Sequence, residues 1–265
     1  MFFIDTFMFN GEWITKLRLE YLYEYVDYFY IVESLYTHSG IKKDELFTEK
    51  YKAWFQPYIS KVKFVIIAKR PYENAWDEEN FQRNIVSQYI LNDMEDNEFI
   101  LSICDCDEIY DISSLPSKEE LARLLKSGTI IYFTMDLYMF SFIYRKNIQW
   151  SCAFMIHSSL IDDDTNFSKI RTDRIINNIM EIRSGWHFSY FFNTEGIARK
   201  LRSFAHTDLN TAEINNKDNI QKAISQGGDL FNGTKLMIEP TAFELQKFPP
   251  LFKKYYEELL CIQTV

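Results

Sequence analysis

The chain has 265 residues, nearly half of them hydrophobic, with 23 Phe, 17 Tyr and a formal net charge of −9. That is enough apolar chain for one large domain with a sizeable core, and with no Pro/Gly/Ser-rich linker and no internal repeat, a single domain over residues 1–265 is expected. The acidic balance excludes a general nucleic-acid binder and docking on anionic lipid, which both need a basic face, but not a phosphate-bearing ligand recruited through a metal.

In chain order, residues 12–25 place Ile14, Leu17, Tyr21 and Tyr25 at helical spacing and predict an amphipathic helix. "YFYIVES" (28–34) is a β-rich run ending near Glu33, and "KVKFVIIAK" (61–69) is a second strand. Residues 77–96 open with acids and put Phe81, Ile85, Tyr89 and Ile90 on one face, a helix with its negative charge at the positive end of the dipole. "FILSICD" (99–105) is a third strand, and 117–128 is a helix with a Ser117/Glu120 capping box and Gly128 at its end. Beyond residue 145 the pattern is less regular: 215–234 reads as a surface loop around a short helix, and 249–260 as a short terminal helix opened by Pro249 and Pro250. Helix and strand alternate in the first half, with continuously apolar strands, so a mostly parallel sheet flanked by helices is expected, with a site beyond the strands' carboxyl ends.

The opening "MFFIDTFMFNGEW" has no basic stretch ahead of a long apolar one, so no signal peptide is read there. The longest apolar run, 129–144, is too short for a spanning helix and carries Asp136 at its centre, so it reads as core. Cys104, Cys106, Cys152 and Cys261 fit no zinc-binding spacing and read as reduced thiols, which points to a cytoplasmic setting where the sequons at Asn166 and Asn232 mean little.

Chemistry concentrates in "CDCDEI". Asp105, Asp107 and Glu108 crowd three carboxylates into four residues at the end of an apolar strand. In an extended segment residues i and i+2 point the same way, so Asp105 and Asp107 would face one point, and hard oxygen donors suit Mg²⁺ or Mn²⁺ bridging to phosphate. The competing reading is a solvated acidic turn. Arg83 offers a planar fork of donors to a phosphate or a nucleobase, or else pairs on the surface with Asp77 or Glu79. "SGWHFSYFF" (184–192) sets Trp186, a ring suited to stacking on a sugar, beside the titratable His187; a buried core strand reads equally well. In "KLRSFAHTDLNT" (200–211), His206 is a candidate metal ligand, Lys200 and Arg202 candidate counter-ions for a diphosphate, and Asp208 a further carboxylate; the alternative is a basic surface strand. Neither a Gly-rich phosphate cradle nor a G-x-S-x-G elbow is present.

Taken together in this order, the motifs resemble glycosyltransferase family 17, which includes the β-1,4-mannosyl-glycoprotein 4-β-N-acetylglucosaminyltransferases. Asp5, Phe7, Phe9 and Glu12 match its D-x-F-x-F-x-x-E opening, Leu17 to Leu19 and Leu22 its first helix, and Val26, Asp27, Phe29, Val32 and Glu33 its V-D-x-F-x-x-V-E strand. Thr37 and Gly40 match its T-x-x-G turn, and "NFQRN", "CDCDEI", "GWHFSYFF" and "KLRSFAHTD" its later motifs, over roughly residues 4–210. Tyr110 stands where the family often has Pro, the membrane anchor of the animal Golgi enzymes is not seen, and the Lys/Asn/Ile-rich composition suggests an AT-rich microbial or viral genome.

The resemblance implies a GT-A-like, Rossmann-like α/β fold and an inverting, metal-dependent transfer of GlcNAc from UDP-GlcNAc to a glycan hydroxyl. Asp105 and Asp107 would hold Mn²⁺ or Mg²⁺, with His206 as third ligand; Glu33 and Arg83 would contact the nucleotide, Lys200 and Arg202 the diphosphate, and Trp186 a sugar. The base taking the acceptor's proton is left among Glu108, Asp136, His187 and Asp208, with Asp208 preferred for its place two residues from His206. Two rival readings are another metal-dependent nucleotide-processing enzyme and a glycan-binding module derived from the transferase.

Overall fold

The computed structural model describes residues 1–174, 178–244 and 246–263. Its first strand is one that the residue pattern does not single out: β1 (Phe2–Met8) lies in the middle of the sheet, paired with both β2 (Tyr28–Ser34) and β4 (Phe99–Ile103). β2 carries β3 (Val62–Ile67) on its other side. The remaining strands are β5 (Glu108–Ile109), β6 (Ile130–Met139), β7 (Tyr144–Trp150), β8 (Phe154–His157), β9 (Ile179–Ser189) and β10 (Met237–Ile238). Among the described residues they form one sheet in the order β10-β7-β6-β8-β4-β1-β2-β3, with β9 pairing β6 and β5 off that path. The pairings set only β5, β7 and β8 against the direction of the rest, so the sheet is mostly parallel, as expected.

Strand alternation builds an apolar layer on each face. Phe3, Phe7, Phe29, Ile31 and Ile100 face one side. There they meet α1 (Thr15–Leu22), the short α2 (Phe47–Lys50) and α3 (Lys52–Phe55), and, further along the chain, α6 (Lys118–Lys126) and α10 (Leu251–Gln263). Ile4, Tyr30, Val32, Leu101 and Ile103 face the other. That layer is covered by α4 (Ala75–Asn84), α5 (Val86–Met94) and α7 (Phe167–Asp173). The helix expected over 77–96 is thus two helices meeting at Ile85. A third apolar cluster packs α8 (Thr194–Ser203) and α9 (Lys217–Gln226) on the ends of β6 and β9; the segment at 200 is helix, not strand.

Capping follows the sequence. The Ser117 hydroxyl accepts from Glu120 N at 3.2 Å, and Asn74 caps α4 by accepting from Trp76 N and Asp77 N. No described helix is long and apolar enough to cross a membrane. Cys104 and Cys106 are buried thiols, and Cys106 Sγ lies 2.8 Å from Thr15 Oγ1.

Candidate active site

The ends of β1, β2, β4, β6 and β9 open onto one cleft of about 670 Å³. Its acidic wall is the turn after β4. Asp105 to Glu108 do not continue the strand: Glu108 N donates to Asp105 O at 3.0 Å, closing a turn. Asp105 and Asp107 nevertheless both line the cleft. Beneath the turn runs a buried ion pair. Arg18 of α1 donates Nε and Nη2 to the two oxygens of Asp5 on β1, at 2.7 and 2.6 Å, and its Nη1 reaches Asp105 O at 3.2 Å and Glu108 O. Asp5 is fully buried with Arg18, and this fork fixes the backbone from which the carboxylates project.

Each carboxylate of the turn has its own counter-ions. Asp105, a third exposed, accepts from Arg83 Nη2 at 3.0 Å and Arg171 Nη2 at 2.6 Å. Glu108 is fully buried, accepting from Arg171 Nη1 at 2.9 Å, Asp105 N at 2.7 Å and Trp150 Nε1. Asp107 accepts from Lys200 Nζ at 2.7 Å, with His187 Nε2 at 3.5 Å. Burial opposes charge on Asp107 and Glu108, but the cations beside them win: Lys200 and His187 hold Asp107 well below the usual carboxylate range, and Arg171 holds Glu108 down.

The cleft as a whole is lined by Lys43, Arg83, Lys146, Lys169, Arg171 and Lys200 against Glu12, Glu79, Asp105 and Asp107. Six cations to four carboxylates on the lining is the reverse of the chain's balance of −9, but Lys43, Lys146 and Arg171 also pair with Glu33, Asp229 and Glu108 behind it, so the cations are held in place rather than in excess. Two nitrogens of lining residues, Arg83 Nε and His187 Nδ1, are buried without a hydrogen-bond partner. Glu12 is different again. Among the described residues it is the carboxylate of the lining that makes no ion pair: Oε2 accepts from Asn10 N at 2.6 Å and Oε1 carries no hydrogen bond. Burial raises its pKa, with Lys200 partly offsetting.

The sequence profile of glycosyltransferase family 17 matches residues 3–247. The chain belongs to glycosyltransferase family 17. It is therefore a glycosyltransferase, and the cleft is where such chemistry is to be sought. No curated protein matches the sequence. Among solved structures it is similar to the mannosyltransferase PcManGT from Pyrobaculum calidifontis in complex with GDP-Man and Mn²⁺, at 10% identity and a TM-score of 0.42, over 97% of this chain and 84% of that one. A mannose-1-phosphate geranyltransferase from Thermus thermophilus is similar at 12% identity and a TM-score of 0.27, over 92% and 70%. Neither likeness is close enough to carry an argument about function.

Of the residues singled out in this family 17 sequence, Arg83, Asp105, Asp107, His187, Lys200 and His206 line the cleft. Glu108 lies beneath it, enclosed by Arg171 and Trp150. Asp136 and Asp208 are not on the lining; Asp136 faces Arg183 at 3.2 Å, and Asp208 is exposed in a short turn of 3-10 helix. Glu33 is buried as an anchor for the following loop, accepting from Lys43 Nζ at 2.9 Å and from the backbone N–H groups of Phe47 and Thr48 at 2.7 and 2.8 Å. Trp186 points through the sheet into the opposite core against Phe252, because strand neighbours alternate and His187 takes the cleft side. Arg202 is exposed on Glu195. Arg171, Glu12 and Trp76 line the cleft although they are not among the site residues expected from the sequence; the D-x-F-x-F-x-x-E motif that Glu12 closes and the helical spacing of Trp76 and Arg83 are signals for two of them.

Asp105 and Asp107 are hard oxygen donors on one wall, which fits an ion that takes one or two carboxylates and fills the rest of its shell from phosphate and water. No three His, Cys, Asp or Glu converge as a cage among the described residues, and the His206 ring lies 4.5 Å from Trp76.

Proposed function

We propose that this chain transfers GlcNAc from UDP-GlcNAc to a hydroxyl of a glycan acceptor, with inversion at the anomeric carbon. The observation that carries the reading is the pairing, in one cleft, of Asp105 and Asp107 with Arg83, Arg171 and Lys200. Three cations fixed by carboxylates form a preorganised seat for a diphosphate. In this reading Asp105 and Asp107 would hold a Mg²⁺ or Mn²⁺, which supplies Lewis-acid stabilisation of the departing diphosphate. Sharing an ion requires Arg83 or Arg171 to release an oxygen of Asp105 and turn to phosphate.

The chain's own residues do the rest. Arg83, Arg171 and Lys200 bind the diphosphate and take up the negative charge as the anomeric C–O bond breaks. The acceptor oxygen bonds to the opposite face of that carbon, and its proton passes to a base. Glu12 fits that role, since it lines the cleft, has an oxygen without a partner, and is not neutralised by an ion pair.

The test is transfer by purified protein from a panel of nucleotide sugars that includes UDP-GlcNAc and GDP-mannose, with divalent metal and with chelator, and the product anomer read by NMR. The reading expects metal-dependent UDP release with a β-linked product, abolished in Asp107→Asn while the protein stays folded. Unchanged turnover in Asp107→Asn, or a product that retains the donor's configuration, would overturn it.

A further inference from the structure

The geometry points to Trp76 as the platform on which the base of the nucleotide-sugar donor stacks, an inference that rests on the donor reading above. Trp76, Glu79, Asn80 and Arg83 stand at i, i+3, i+4 and i+7 of α4, so they share one face, and all four line the cleft. Arg83 sits at the acidic turn, where the diphosphate would lie. Seven helical residues separate the two side chains by about 10 Å along the axis. That is the reach of a nucleoside diphosphate from its base to its phosphates, so the helix measures the ligand: ring at one end, guanidinium at the other.

Trp76 is placed as a platform should be. Its position is fixed by the Asn74 cap, which accepts from its backbone N–H at 2.9 Å. Its side chain is left open, with the residue 44% exposed. Among the described residues its one ring contact is His206, edge-on at 4.5 Å from across the cleft mouth. The other tryptophan of the lining, Trp150, is already engaged: its ring lies 4.7 Å from His187 and its Nε1 donates to Glu108. A large apolar ring held at the rim of a cation-lined cleft gains by stacking on a flat base, and every base offers a π-face.

The inference is tested by calorimetric affinities of wild type, Trp76→Ala and Trp76→Phe for UDP, UDP-GlcNAc and pyrophosphate. Stacking expects Trp76→Ala to weaken UDP and UDP-GlcNAc alike by about tenfold or more, Trp76→Phe to recover most of the loss, and pyrophosphate binding to stay unchanged in all three proteins. Unchanged UDP affinity in Trp76→Ala overturns it. So does a loss for UDP-GlcNAc alone, which would give the ring to the sugar, and so does an equal loss for pyrophosphate, which would mean that the cleft itself had changed. If wild-type protein binds pyrophosphate and no nucleotide, the donor reading falls and takes this inference with it.

Discussion

Asp105, Asp107 and Glu108 are near neighbours in sequence and are given three different roles by their counter-ions. Glu108 is enclosed and structural, Asp105 bridges two arginines at the cleft edge, and Asp107 meets Lys200 and His187. The crowding itself is legible in the sequence, because three carboxylates after an apolar strand must be neutralised by something. Which partner each takes is not, since Arg171 and Lys200 come from helices more than 60 residues on. The side of the strand is also out of reach at one position: "GWH" puts Trp186 and His187 on opposite faces, and nothing local decides which faces the cleft. Glu12 gives a prediction at this scale. Glu12→Gln keeps the shape and removes the basic oxygen, so transfer is expected to fall by about 10²–10⁴-fold while UDP affinity is held. Comparable losses in transfer and in UDP affinity would instead make Glu12 a binding residue.

At the scale of elements, the approach of β5 to β9 brings Asp107 and Glu108 into place. Phe188 N donates to Asp107 O at 2.8 Å, and Glu108 lies opposite His187. Gly185 permits that approach: it has φ +89°, and a Cβ there would stand 2.2 Å from Ile109 O and 2.5 Å from Tyr110 Cα. Gly128 shares φ +89° but has nothing within 4 Å of its would-be Cβ. Gly185→Ala is therefore expected to destabilise by about 3 kcal/mol or more, and Gly128→Ala by only about 1 kcal/mol. Equal losses in thermal denaturation would show that backbone conformation, not the close contact, is what Gly185 supplies. The strands and the Ser117 cap are readable because they follow from periodicity and side-chain chemistry. β1 is hidden, although it is the sheet's centre, because its apolar residues carry the polar Asp5 and Thr6 between them, and both are buried by partners distant in sequence. The break at Ile85 is hidden for a related reason: apolar periodicity continues across it.

Over the whole molecule, the acidic chain keeps its cations where carboxylates hold them. Asp107, Glu108 and Glu79 are all held below the ordinary carboxylate range, in each case against burial, by Lys200 and His187, by Arg171, and by Arg83 and His38. Groups depressed in the folded state contribute stability above their unfolded pKa, near about 4, that is lost as pH falls through the folded values. Burial lowers Lys200 and Asp107 beside it more than restores it, so it stands above the lysine range; its contribution is present below about pH 10 and lost only as pH rises beyond that. Denaturant titrations should give a plateau from about pH 5 to about pH 9 and a steep fall below about pH 4. A fall centred between about pH 6 and pH 8 would assign the dependence to a histidine.

The helix α10 closes the apolar layer on which α1 rests. Trp13 Nε1 donates to Glu258 at 3.0 Å, Lys254 pairs with Glu20, Tyr255 donates to Lys16 O at 3.2 Å, and Phe252 fills the core beside Trp186. The partners on and beside α1 lie some 240 residues from α10 in sequence. During synthesis, then, α1 leaves the ribosome long before α10 is made, and Trp13 and Lys16 wait for their partners until some 240 further residues have been added. Contacts of such long range slow folding and lengthen exposure to chaperones and proteases. A ribosome-stalled chain ending before residue 251 should be cut rapidly by protease and hold chaperone, whereas one with α10 clear of the exit tunnel should resist the first and release the second.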